Sequence, residues 1–214
     1  MRHTVLPWNW VRCQTARMLR IGLTGGIAAG KSVVAERLGE LGAHVVDHDV
    51  LSRRVVEPGS AALVEIVHAF GDQVVVRGEL DREALGKLIF GDNRARERLN
   101  GIVHPYIEAM AAAMDKQARA AGEAVVVHDI PLLVETGQGG AFGLVVTVAA
   151  PVEVRLKRLM ETRSMLHDHA QARIDSQATD EERAAVADFV FDGSGTREQL
   201  RAQVDEFWAI HVPQ

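Results

Sequence analysis

Residues 25–32 read Gly25-Gly26-Ile27-Ala28-Ala29-Gly30-Lys31-Ser32, and the fold is decided by what stands on either side of them. The octapeptide fits G-x-x-x-x-G-K-[S/T] in full. Before it, Leu19–Thr24 is a short apolar run that stops at glycines, the mark of a buried strand. After it, Lys31–Leu41 carries Val34, Leu38 and Leu41 at helical spacing and meets a stop at Gly42. Strand, glycine turn and helix in direct succession form the setting in which this pattern cradles a phosphate. Glycine lets the backbone turn tightly and come close to an anion, because no Cβ intervenes. The N–H groups that follow converge on the β-phosphate, and the helix adds its positive end. Gly25, Gly26, Ile27, Ala28, Ala29, Gly30, Lys31, Ser32 and Val33 are therefore expected to bind the phosphates of a nucleotide, ATP or another purine triphosphate. Lys31 should bridge its β- and γ-phosphates, and the Ser32 hydroxyl should ligate Mg²⁺. A dinucleotide fingerprint, G-x-G-x-x-G, is not supplied by residues 22–30.

Outward from this loop, strand and helix signals alternate. His44–Asp47, Ala124–Val127, Gly143–Val148 and Phe189–Phe191 read as strands. Ala61–Phe70, Val152–Glu161 and Thr196–Ile210 read as helices, and residues 81–118 as helices broken near Gly91 and again at Pro105. Thr179 and Glu182 have the spacing of a capping box. Alternation of this kind implies α/β architecture, a parallel sheet with helices on both faces. Ligands of such sheets lie beyond the carboxyl ends of the strands. Residues 1–18 differ from the rest, with Trp8, Trp10 and the single Cys13. They are expected to be a disordered extension, or a stretch upstream of an initiator at Met18.

Bulk properties remove several classes. The net charge of −5 speaks against a nucleic-acid platform, which selects for basic faces. No apolar run approaches the ~20 residues of a membrane span. Asn occurs at 9, 93 and 100 and is never followed by Lys, so the guanine-reading Asn-Lys-x-Asp of a GTPase is missing. What remains is a small kinase. At the end of the second strand Asp47-His48-Asp49 places two acids where the γ-phosphate and an acceptor hydroxyl should meet. A carboxylate there accepts the hydroxyl proton or helps hold the metal; the alternative for Asp47 is a helix N-cap.

These stretches together resemble the dephospho-CoA kinase family, from about residue 19 to 209. The resemblance is carried by Gly22–Ser32 (GLTGGIAAGKS), Val46–Gly59 (VDHDVLSRRVVEPG), Leu80–Phe90 (LDREALGKLIF), Leu99–Pro105 (LNGIVHP), Asp129–Thr136 (DIPLLVET) and Ala187–Gly195 (ADFVFDGSG), in that order. It implies a P-loop kinase with a five-stranded parallel sheet, a helical acceptor-binding insertion at about 61–119 and a lid at about 157–186. The core would comprise 19–60, 120–156 and 187–212. The implied reaction moves the γ-phosphoryl group of ATP to the ribose 3′-hydroxyl of dephospho-CoA, in the cytoplasm. In that reading Asp49 is the general base, with Lys31 and Asp47 in support. Arg54, Arg82, His104, Asp129, Pro131 and Leu132 bind the acceptor, and Arg158 and Arg163 of the lid reach the phosphates. Arg82 and His104 also have plain readings, as a surface charge and a packed turn residue. A catalytically silent nucleotide-binding protein and another small-molecule kinase are the alternatives.

Two departures from the family pattern stand out. Ala28-Ala29-Gly30 replaces Gly-Ser-Gly, so Ala28 must keep a negative φ or be strained. Thr162-Arg163-Ser164 replaces Arg-Asp-Gly in the lid, which shifts its arginine by one position or realigns the loop.

Overall fold

The computed structural model describes residues 18–212. Its elements are β1 (Leu19–Gly25), α1 (Lys31–Glu40), β2 (His44–Asp47), α2 (His48–Arg54), α3 (Ala61–Phe70), β3 (Val75–Val76), β4 (Glu79–Leu80), α4 (Arg82–Ile89), α5 (Asn93–Ala120), β5 (Val125–Asp129), β6 (Leu144–Ala149), α6 (Val152–Arg163), α7 (His167–Asp175), α8 (Asp180–Val186), β7 (Phe189–Asp192) and α9 (Arg197–His211). The extension expected at residues 1–18 lies outside the described residues except for Met18. That residue is 7% exposed and packs with Val46 and Val126, so it belongs to the fold.

Five strands form one sheet in the order β2-β5-β1-β6-β7, and every pair is parallel. The largely apolar character of β1, β5 and β6 follows from burial on both faces. One face presents Ile21, Leu23, Val125, Val127, Val146 and Val148 to Val34 and Leu38 of α1 and to Leu200, Val204 and Phe207 of α9. Truncating a fully buried residue such as Leu23 or Leu38 to Ala should cost ~2–5 kcal/mol. The other face, through Val46 and Val126, receives Ala111 and Ala118 of α5.

Beside the sheet, α3, α4 and α5 enclose a separate apolar cluster around Val56, Ile66 and Leu85. A hairpin of β3 and β4 closes it, through a turn in which Arg77 and Gly78 both have positive φ. That is the backbone a two-residue hairpin demands. The break expected at Pro105 does not occur: α5 runs through it for 28 residues. Interior proline costs a helix ~3 kcal/mol. Here Ile107, Met110, Ala111, Met114 and Ala118 pack on their neighbours at helical spacing, and that burial outweighs the lost hydrogen bond.

All five strands point the same way, so their carboxyl ends share one edge of the sheet. The loops after β1, β2 and β5 emerge there.

Candidate functional site

The loop after β1 is a closed cup. Gly30 is the N-cap of α1, with φ 118°, a backbone that only glycine adopts without strain. Ala28 has φ 61°, the left-handed region that costs an L-residue ~1–2 kcal/mol. The departure seen in the sequence is thus realised as strain. The loop is held from outside by side chains. Gln177 Oε1 accepts from Ile27 N–H at 2.8 Å. Arg158 donates to the carbonyls of Ala28, Ala29 and Gly195 at 3.2, 3.3 and 3.1 Å. Ile27 and Ala28 also pack against Leu159, Ala170 and Ile174 of α6 and α7.

Opposite the cup, β2 and β5 lie in register, Asp47 beside Asp129 and Val46 beside His128. Asp129 is ion-paired with Lys31, and both side chains are largely buried, 10% and 17% exposed. Burial pushes the Asp129 carboxyl up; Lys31 opposes this, and the nearby charges of Asp47 and Asp49 add to it. Three carboxylates, at the ends of β2 and β5 and in the first turn of α2, are thus close enough to influence one another, and Lys31 is paired with the one on β5. Asp47 is the N-cap of α2: its Oδ1 accepts from the N–H groups of Asp49 and Val50 at 2.8 and 3.1 Å. Its capping use is thus the one realised. Asp49, one turn position inside α2, is exposed, and its carboxylate takes no hydrogen bond among the described residues.

Asp49 lines a cleft of about 240 Å³ together with His48, Ser52, His104, Glu108, Pro131 and Leu132. A second cleft of about 210 Å³ continues from it past Ser52, His104 and Ile107 to Arg82 and Asn100. The structure thus brings together Asp49, His104, Pro131, Leu132 and, further along, Arg82. Arg54 is exposed at the end of α2 and lines neither cleft. Arg163 is exposed in the last turn of α6 and contacts neither loop nor cleft among the described residues.

The arginines that do meet the loop were not all legible. Arg155 is 4% exposed and sits where a Cβ on Gly26 would land on its Nη1. Its Nε and Nη1 have no hydrogen-bond partner among the described residues, and Asp180 stands 3.6 Å from Nη1, at the distance of a loose ion pair. Arg183 is 1% exposed and pairs with Asp180 and Glu135 at 3.3 and 3.4 Å. A buried guanidinium aimed at a phosphate loop with free donors is the complement of an anion. The spacing Arg155–Arg158 on one helix face was the available signal. Also unforeseen was a polar chain behind the cleft. His48 Nε2 meets His128 Nδ1 at 3.0 Å, and His128 Nε2 meets Asp115 Oδ1 at 2.8 Å.

The cup therefore fits a triphosphate: it offers backbone N–H groups, Lys31 and a buried arginine with unused donors. Among the described residues no cluster of three metal-ligating side chains occurs. The exposed Ser32 hydroxyl and the nearby carboxylates do fit a Mg²⁺ held mainly by phosphates, its usual manner in kinases. No helix among the described residues is long and apolar enough to cross a membrane.

Comparison with known proteins agrees with this geometry. The sequence model of the family described as dephospho-CoA kinase matches residues 19–199. A dephospho-CoA kinase of Leifsonia xyli is 50% identical over 194 residues, which cover 90% of this chain and 98% of that protein. One of Mycolicibacterium paratuberculosis is 50% identical over 192 residues, covering 89% of this chain; the chain spans 47%, about half, of that longer relative. Among solved structures, a dephospho-CoA kinase from Campylobacter jejuni superposes with a TM-score of 0.67 at 26% identity, over 89% of this chain and 95% of that one. With a phosphate cup, an acid-lined cleft beside it and matches along nearly its whole described length, this chain belongs to the dephospho-CoA kinase family and to its ATP-using kinases.

Proposed function

We propose that the chain transfers the γ-phosphoryl group of ATP to the ribose 3′-hydroxyl of dephospho-CoA, giving CoA and ADP. The observation that carries this is the position of Asp49, an unpaired carboxylate on the wall of a cleft that opens beside the Lys31–Asp129 pair. The cup amides and Lys31 hold the phosphates. Lys31 leaves or shares Asp129 when a phosphate arrives, since both ligands are anionic. Asp49 takes the hydroxyl proton as the oxygen attacks, a role that needs a carboxylate free of other donors. Ser32 and the phosphates would hold Mg²⁺, which would supply positive charge against that developing on the transferred group.

The α3–α5 bundle forms the acceptor side, with Arg82 and His104 on the two clefts and Pro131 and Leu132 on the opposite wall. Helices α6–α8 form the lid. In it Arg155 faces the phosphates and Arg158 braces the cup; Asp129, at the end of β5, acts on Lys31 rather than on the acceptor. A closed lid excludes water and strengthens each of these charges. The setting is the cytoplasm, where ATP is supplied.

ADP release with dephospho-CoA and ATP·Mg²⁺ tests the assignment. Turnover only with another nucleoside or sugar would move the chain to a different kinase. Tight ATP binding without any transfer would make it a silent nucleotide-binding protein.

A further inference from the structure

His48 stands between two acids in the sequence, and its ring meets a histidine of the sheet. Its Nε2 lies 3.0 Å from Nδ1 of His128, and the two rings meet edge to face at 5.3 Å. His128 is 1% exposed. Its Nε2 lies 2.8 Å from Asp115 of α5, and Asp115 in turn is ion-paired with Arg20 of β1 at 2.9 Å. Arg20 also donates to the Ala141 carbonyl at 2.7 Å and lies over the Phe142 ring. The chain of contacts thus ties the α2 wall of the acceptor cleft to the loop that carries Pro131 and Leu132.

Proton counting fixes its direction. The Asp115 carboxylate can only accept, so His128 Nε2 carries the proton. A neutral His128 then accepts at Nδ1, and His48 must donate from Nε2. Burial favours the neutral form of both rings, and both are held below the ordinary histidine range, burial being the largest cause. The charged groups around the pair are Asp47, Asp115 and Arg20, with His44 as a further titratable neighbour. The Asp47 carboxylate caps α2 only at the backbone N–H groups of its first turn. Nothing in that cap sets the rotation of the turn about the helix axis, whereas a ring anchored in the sheet does.

We propose that His48 is a positioning residue for Asp49: its Nε2–H, locked by His128 and Asp115, fixes the first turn of α2 against β5 so that the Asp49 carboxylate faces the acceptor cleft. This rests on the reading of Asp49 as the base. The test compares wild type, His48→Ala and His48→Gln, the last of which keeps a donor. His48→Ala should lower kcat by ~10–10², with KM for ATP within about twofold, and His48→Gln should regain most of the loss. An unchanged kcat in His48→Ala, or an ATP KM that rises in step with no recovery in His48→Gln, overturns the proposal. Nitrogen NMR of the wild-type imidazoles reads the tautomers without any turnover: both rings should be protonated at Nε2 and bare at Nδ1. Any other pattern overturns it too. Should wild type fail to phosphorylate dephospho-CoA, the functional assignment falls, and the imidazole spectrum still decides whether the lock exists. If His48→Ala does not fold, His48→Gln and that spectrum decide.

Discussion

Lys31, the cation of the phosphate cup, is ion-paired with Asp129 at the tip of the adjacent strand. The pair is partly buried, and each partner keeps the other from standing as an uncompensated charge. Replacing Asp129 by Asn should therefore disturb Lys31 more than the fold. Expected is a fall in kcat of ~10²-fold with a near-native circular dichroism spectrum, and a comparable or larger fall for Lys31→Ala. Steady-state kinetics of the two variants check this; an Asp129→Asn enzyme with normal kcat would show that Lys31 needs no counter-charge.

The two acids of β2 and α2 should separate by readout. Asp49→Asn should lose at least ~10²-fold in kcat with stability unchanged, since its carboxylate takes no hydrogen bond among the described residues. Asp47→Ala should lose ~1 kcal/mol of stability through the missing cap. Urea unfolding and turnover, measured on both, distinguish them. The prediction fails if Asp47→Ala is as stable as wild type.

Buried and exposed arginines of the lid region should differ sharply. Arg183→Ala leaves Asp180 and Glu135 without their buried partner and should cost ~3–5 kcal/mol. Arg155→Ala removes donors aimed at the cup and should raise KM for ATP by at least ~10-fold. Arg163→Ala should change neither by much. A strong effect of Arg163→Ala on ATP binding would put Arg163 on the phosphates, as the family resemblance implies.

Ala28 offers a gain. Glycine at φ 61° relieves left-handed strain of ~1–2 kcal/mol, offset in part by backbone entropy and the loss of a half-buried methyl. Ala28→Gly should be more stable by ~0.5–1 kcal/mol, a rise of ~1–4 °C in Tm. Calorimetry reading a lower Tm would mean that methyl packing against α6 and α7 outweighs the strain.

Acid should weaken the fold through His48. Its pKa is lowered to about 4, first by burial and then by His128, while an unfolded histidine titrates near ~6.5. Between those values the unfolded chain binds more protons than the native one, so stability is fully present above ~6.5 and falls as pH drops toward 4. Melting curves at pH 7.5 and 5 should show the loss. His48→Gln should shrink it, and a slope remains from His128, which is shifted the same way.

The sheet was legible because its signals are local. Leu19–Thr24, the glycine turn and Lys31–Leu41 each declare themselves, and His44–Asp47 has the predicted bounds. Pro105 misled because proline's cost is local, while the compensating burial of Ala111 and Met114 is tertiary. The β3–β4 hairpin carries Arg77-Gly78 at its turn rather than the Asn-Gly that marks such turns. In the site, a lone aspartate or P-loop lysine has few roles and could be named. Arg155 and Arg163 look alike in sequence; which one points inward is set by the packing of Leu159 and Ile174. The partnership of His48 with His128 spans 80 positions and has no spacing to betray it.

Neighbouring residues of β5 serve opposite sides of the molecule: Asp129 meets Lys31, and His128 meets Asp115 on α5. Side-chain direction along a strand alternates, so a slip of one residue exchanges the two. The short turn between α5 and β5, around Ala121-Gly122-Glu123-Ala124, sets that phase. A length change there that slipped β5 by one residue would unseat the lysine counter-ion and the histidine lock in one stroke.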